Sequence, residues 1–266
     1  MERTLAHGVS GWSRNLTQRL ENKLRSIQRP ILLSITCAYR TTLTAALQVI
    51  AGLMSLHLKI KLESEYVRIP RLRQNIVVGG RTFQPSDYED TVHGWHNHPA
   101  ECIKKGRINS EEDIEDKEPT NIFTGGSMSE LGVVAAFCIL DEQQELHHSW
   151  QTRLQEKNSV YQAGMVTIYE AVKYAVTLKS DIKIGSDNQS SLKTIANGSA
   201  SNKMDREIQT VLLQNTNISL GWIRAHVRHP GNEMADYLAN CAITTVGISI
   251  HHVSVPRCSI KGKLTE

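Results

Sequence analysis

Three side chains in the second half of this 266-residue chain have the types and spacing of hydrolytic chemistry. Asp187 stands just past the apolar run Ile182–Ile184, where a strand would end, in Gly185-Ser186-Asp187-Asn188-Gln189. Asp236 falls about one turn inside a helix that opens near Pro230. His226 lies in the polar stretch between Trp222 and that helix. Carboxylates brought together from separate elements are what a hard divalent cation such as Mg²⁺ requires, and a loop histidine beside them can move a proton. Each residue alone has a blander reading, as a helix cap, a surface acid or an ordinary loop histidine. A second group, His96, His98 and Cys102, also has metal-ligand chemistry. No second ligand cluster of matched spacing accompanies it, so a polar loop is expected there.

The elements that must position these residues follow from hydrophobic periodicity. From Asn121 onward strands and helices alternate. A short strand reaches Thr124, and Gly125-Gly126-Ser127 reads as a turn. Leu131–Leu140 is a continuous apolar run, the mark of a strand covered on both faces, and a third strand lies near Leu146–Leu154. Ser159 can cap a helix whose inward stripe is Ile168, Ala171, Ala175 and Leu178. A strand at Ile182–Ser186, a short helix at Gln189–Ala196, a helix over 203–215, a strand at Ile218–Trp222 and a helix to about Ile243 complete the series. The expected architecture is α/β, a mixed five-stranded sheet flanked by helices over residues 121–245.

The remainder reads differently. Residues 1–100 carry 13 Lys/Arg against 7 Asp/Glu, a basic excess that either faces phosphate or is a solvated helix surface. A helix is expected over 13–28, capped by Ser13, striped by Leu16, Leu20, Leu24 and Ile27, and ended by Pro30. Residues 31–58 are apolar and uncharged except for Arg40. Thr41–Leu58 is long enough to raise a membrane span. Its threonines, Gln48, Ser55 and His57 argue instead for a buried helix striped by Leu43, Leu47, Ile50 and Met54. Residues 101–120 are acidic, end at Pro119 and read as a linker, and 246–266 as a mobile basic tail. The five cysteines are scattered and odd in number, and Met1-Glu2-Arg3-Thr4 opens without a signal-peptide run. A nuclear or cytosolic compartment is expected, with no membrane partner.

At Trp222-Ile223-Arg224-Ala225-His226 and Pro230-Gly231-Asn232-Glu233-Met234-Ala235-Asp236 the chain resembles the ribonuclease H domain of arthropod non-LTR (LINE-like) retrotransposon polyproteins. That family's last motif reads roughly W-[VI]-x-[AG]-H-x-G-x-x-G-N-E-x-A-D, and Arg228 here replaces one glycine. Ile31–Leu58 resembles the helical connection that follows the reverse transcriptase in the same polyproteins. No paired-Asp polymerase turn occurs in the chain.

The resemblance implies cleavage of RNA in RNA–DNA hybrids by two Mg²⁺ ions, with Asp187 and Asp236 as metal ligands and His226 assisting. It also implies hybrid contacts from Gln162, Asn188 and Gln189. It further implies a loss. The family's first strand ends in T-D-G-S, where this chain has Thr124-Gly125-Gly126-Ser127. Its first helix opens S-V-x-Q-A-E, where this chain has Ser159 through Gly164. The two missing acids are each one base change from glycine, and Glu170 and Glu130 have no geometric claim to replace them. Two classes of function stay open: an impaired hybrid endonuclease, or a catalytically dead remnant that binds nucleic acid or is purely structural.

Overall fold

The computed structural model describes residues 2–5, 7–13, 15–90, 92, 103–104, 106–113, 121–130, 132–140, 145–198, 202–225, 229–245 and 247–265. His226 and the His96/His98/Cys102 group lie outside the described residues. The chain divides into two compact units, residues 1–88 with 257–266, and residues 89–256.

The first unit is mainly helical: α1 (Glu2–Leu5), α2 (Val9–Trp12), α3 (Gln18–Thr36), α4 (Thr44–Ile50) and α5 (Leu56–Arg68). The first long helix starts later and runs further than its sequence suggests. Thr17, not Ser13, caps α3, its hydroxyl accepting from the Leu20 N–H at 3.4 Å. Ser13 instead closes α2, bonding the Val9 carbonyl. Pro30 sits inside α3 rather than ending it. The turn leading into Pro30 is held from outside. Arg29 donates to Thr44 Oγ1 at 2.9 Å and to the Arg40 carbonyl, and Gln28 donates to the Met54 carbonyl at 2.9 Å. A small core of Val9, Leu24, Leu56 and Ile60 joins α2, α3 and α5. Residues 76–83 form a hairpin that periodicity does not reveal, β1 (Ile76–Val78) against β2 (Arg81–Phe83). Gly79 and Gly80 both have positive φ, as a tight two-residue hairpin turn demands. A C-terminal helix, Cys258–Thr265, belongs to this unit. Lys261 there pairs with Glu63 at 2.8 Å and lies over the Tyr66 ring.

The expected buried stripe of Leu43, Leu47, Ile50 and Met54 is overturned. Leu47 alone of the four is buried, while Leu43 and Ile50 are 76% and 64% exposed. Among the described residues no helix is long and apolar enough to cross a membrane.

The second unit is a mixed sheet flanked by helices. In chain order it contains β3 (Ile108–Asp113), β4 (Asn121–Ser129), β5 (Gly132–Leu140), β6 (Leu146–Leu154), α6 (Val160–Leu178), β7 (Ile182–Ser186), α7 (Gln189–Ala196), α8 (Lys203–Gln214), β8 (Ile218–Trp222) and α9 (Pro230–Thr244). The sheet order is β3-β8-β7-β4-β5-β6. Strands β4, β5 and β6 pair antiparallel, while β4, β7, β8 and β3 pair parallel. The five expected strands are present, and β3 adds a sixth at the edge.

That sixth strand comes from the acidic stretch expected to be linker. Arg107, just before it, donates to the carbonyls of Leu212 (2.8 Å), Asn215 (2.7 Å) and Ile218 (2.5 Å). One guanidinium thus satisfies the end of α8 and the start of β8, and ties β3 to them. A second difference lies in β4. The strand runs through Gly125-Gly126-Ser127 and turns only beyond Ser129. Glycine is a weak strand former, but here β5 pairs with the strand from Ile122 to Ser129 and fixes it, while β7 pairs with it as far as Thr124.

One core lies between the sheet and α6, α7 and α8, including Ile122, Phe137, Ile168, Ile184, Leu192 and Leu220. Another lies between the opposite sheet face and α9, including Phe123, Ala136, Cys138, Ala235 and Leu238. Strand β5 is covered on both faces, as its unbroken apolar run requires. Residues 249–254 run beside β6 and the start of α6. Arg153 bridges to Ile250, and the Asn158 and Gln162 amides donate to the carbonyls of Val253 and Ser254.

Candidate functional site

The site is built where β4 and β7 run side by side. Thr124 is paired with Ser186 in the parallel ladder, and the Thr124 hydroxyl donates to the Gly185 carbonyl at 3.0 Å. The chain leaves β7 at Asp187 and enters α7, capped by Asn188, whose Oδ1 accepts from the Ser191 N–H and the Ser190 hydroxyl. Ser186 Oγ accepts from the Asn188 N–H at 3.2 Å. Helix α6 crosses β4, its entry fixed by a capping box between Ser159 and Gln162. Thr167 donates to the Gly125 carbonyl at 3.2 Å. These elements enclose an open cleft of 280 Å³ lined by Thr124, Gly125, Gly164, Asp187, Asn188 and Tyr161, among others.

Asp236 reaches the same strand from the other face. A Cβ built on Gly125 would lie 2.8 Å from Asp236 Oδ1, 2.9 Å from the Ala235 carbonyl carbon and 3.0 Å from the Asp236 nitrogen. Helix α9 therefore rests on the bare backbone of β4. Gly231 allows the same approach one turn earlier, since a Cβ there would overlap the Phe123 ring. Cys138 also touches this helix, its Sγ 3.5 Å from the Gly231 carbonyl. Burial pushes its thiol up to about 12, so it is a packing group and no nucleophile.

Gly164 has a different neighbour. Its Cβ would fall on the Asn188 side-chain amide, closest to Nδ2, and 3.2 Å from Asn188 Cβ. Gly126 lies between the two elements, its own Cβ position 2.9 Å from the Gly164 nitrogen. The structure thus brings Gly125, Gly164, Asp187 and Asn188 into one cleft and sets Asp236 against Gly125.

Two of the residues expected to face a hybrid are engaged elsewhere. Gln162 is buried, with Nε2 donating to Glu89 at 2.6 Å and to the Ser254 carbonyl at 2.8 Å, and Oε1 accepting from Asn158. Gln189 donates to the Ser110 carbonyl on β3 at 2.7 Å. Only Asn188 of the three lines the cleft. Glu170 pairs with Lys173 at 3.0 Å, and Glu130 is exposed in the turn after β4. Sequence reasoning passed over Thr124, Tyr161, Ser186 and Ser190, which also line the cleft. Thr124 and Ser186 adjoin the acid positions directly, a signal that the pairing of β4 with β7 makes legible.

A two-ion magnesium centre needs carboxylates converging from several elements. Among the described residues no group of three or more His, Cys, Asp or Glu could hold a metal ion. The position facing Asp236 on β4 is glycine, with helix backbone against it. These residues do not fit a two-ion site.

No curated protein matches the chain. Among solved structures, the protease-reverse transcriptase of a foamy virus in complex with RNA/DNA hybrid aligns at 17% identity and a TM-score of 0.41. That alignment covers 51% of this chain and 22% of the viral one, so the chain spans about a fifth of that relative's length. RNase H1 from the halophilic archaeon Halobacterium salinarum NRC-1 aligns at 19% identity and a TM-score of 0.36, over 47% of this chain and 97% of its own. LC11-RNase H1, isolated from compost by a metagenomic approach, aligns at 15% identity and a TM-score of 0.39, over 47% and 95%. Residues 117–244, the stretch that carries β4 to α9 and the glycine-lined cleft, match the family model described as RNase H.

Proposed function

We propose that residues 117–244 form an RNase H domain that derives from a retrotransposon polyprotein and retains no more than trace Mg²⁺-dependent hydrolysis of RNA in RNA–DNA hybrids. The observation that carries the reading is the packing at Gly125. The strand position that faces Asp236 bears no carboxylate, and helix α9 occupies the space where one would begin. Two divalent ions about 4 Å apart repel by about 4 kcal/mol even in a water-like dielectric, four times a unit pair. Asp187 and Asp236 have no bridging acid between them to offset that repulsion.

The test is cleavage of a labelled hybrid in Mg²⁺ by the unaltered protein, Gly125→Asp, Gly164→Glu and the double variant. The expected order is trace activity for the unaltered protein and for Gly164→Glu, more for Gly125→Asp, and most for the double variant. The double effect should exceed the product of the single ones, because ligands of one centre act as a unit. Robust turnover by the unaltered protein, abolished by Asp187→Asn, overturns the reading.

A second reading, a nucleic-acid-binding remnant, rests on the open cleft and its hydroxyl lining of Thr124, Tyr161 and Ser190. The internal bonds of Gln162 and Gln189 weigh against tight hybrid binding. Fluorescence anisotropy of a labelled hybrid in EDTA decides it. Weak, strongly salt-dependent binding that Asn188→Ala leaves unchanged excludes use of the cleft.

A further inference from the structure

An all-apolar surface of the helical unit faces water. Helix α4 is anchored by Leu47, which is fully buried. Its outer face is made of Ala45, Ala46, Val49 and Ile50, all exposed and confined to an arc of roughly 140° at about 100° per residue. No charged residue occurs from Thr41 to Leu58. The face continues at both ends of the helix. Tyr39 is 86% exposed, Leu43 76%, Val49 82%, Ile50 64% and Met54 44%. A surface helix ordinarily turns charged and polar residues outward, and this one inverts the pattern.

We propose that this face pairs with the same face of a second copy of the chain. Two observations select that occupant. The surface left in water by these side chains is on the order of 700 Å², close to the roughly 800 Å² per partner of a standard interface and above the patch size monomers usually tolerate. The face is also free of charge from Thr41 to Leu58, with Arg40 at its edge beside Tyr39. A two-fold pairing sets one patch against a copy of itself, so a patch carrying charge of one sign would repel its copy. A charge-free face suits self-pairing and offers nothing to a phosphate backbone or to a charged protein surface. The face belongs to the helical unit alone, so the pairing is independent of whether the second unit cleaves anything.

Sedimentation of the full 266-residue chain from about 1 to 100 µM tests this, a range that brackets affinities typical of weak to moderate dimers. The expected result is a rise in mass from 29.8 kDa toward twice that value. The variant Val49→Glu/Ile50→Glu should stay monomeric, with association at least ~30-fold weaker, since it buries unpaired charge. Both positions are exposed, so circular dichroism should match the unaltered chain, as should thermal unfolding at concentrations where both are monomeric. If the double variant unfolds, Val49→Ser should still weaken pairing. A monomer throughout the range overturns the proposal, as does a dimer indifferent to every substitution. Binding of the monomer to uncharged phosphatidylcholine vesicles, lost in the same variant, would assign the face to a lipid surface instead.

Discussion

Gly125 and Gly164 stand where the resemblance expects acids, yet their surroundings differ. At Gly125 the missing side chain is replaced by main chain, the Ala235–Asp236 peptide of α9, and by the Asp236 carboxylate. At Gly164 it is replaced by the tip of one side chain, the Asn188 amide. A side-chain tip can rotate away at small cost, whereas a helix backbone moves only with everything packed on it. Introducing a side chain should therefore be easier at Gly164 than at Gly125.

The largest expected effect is at the strand. Gly125→Asp should destabilise the protein by roughly 2–4 kcal/mol in urea unfolding, combining overpacking with a like charge beside Asp236. Gly125→Ala should account for about 1–3 kcal/mol of that by sterics alone. An unchanged unfolding midpoint for Gly125→Ala would show that α9 yields freely, and the contrast between the two glycines would disappear. Reversion thus raises activity per folded molecule while lowering stability, and hybrid cleavage should be read below the unfolding transition.

Asp205 shows what crowding of carboxylates does in this domain. It is fully buried near the start of α8, and burial first, then the charge of Glu89, push its carboxyl up to about 7 from 3.8. The folded protein therefore keeps a proton that the unfolded chain has lost between those values. The stability this group supplies is complete below about pH 4 and is lost as pH rises through about 7. Asp205→Asn should remove the trend. Relative to the variant, the unaltered protein is expected to lose on the order of 2–4 kcal/mol between about pH 4.5 and 8. Parallel pH–stability curves for the two proteins would refute this. A similar rise at Asp236 in Gly125→Asp, followed by NMR titration, would separate charge from sterics at the strand.

The smallest effects belong to the helix. Gly164→Ala gains up to about 1 kcal/mol of helix propensity and gives part of it back by displacing the Asn188 amide. Asn188→Ala costs about 1 kcal/mol as a lost helix cap. Combined with Gly164→Glu it should cost less, with a coupling of about 0.5–1 kcal/mol in a double-mutant cycle. Strict additivity would mean that Asn188 is not what fills the space above Gly164.

Much of the second unit was legible in the residues. The unbroken run of β5 announced a strand covered on both faces, and Ser159 announced the start of α6. Asp187 and Asp236 could be placed at a strand end and in a helix because their flanking patterns are strong. The course of β4 through Gly125-Gly126 was not legible. Glycine pairs read as turns, and what straightens this one is its ladder with β5, the next strand, Gly125 lying opposite Ala136 and Gly126 opposite Ala135. Strand β3 was hidden for a related reason, because its acidic composition suggests solvent and only β8 and Arg107 give it a place. In the helical unit, periodicity suggested burial along Leu43, Leu47 and Ile50. It could not show that Leu47 is buried while Leu43 and Ile50 stay exposed.

The sequence by itself determined the order and kind of most elements from Asn121 onward, and the placing of Asp187 at a strand end and Asp236 in a helix. Those follow from local spacing and from the side chains present. Only the tertiary structure decided what fills the space beside Gly125 and Gly164, that Gln162 and Gln189 are spent on internal bonds, and which apolar faces stay uncovered. These depend on which distant backbone comes within van der Waals or hydrogen-bonding reach, and no local pattern encodes that distance.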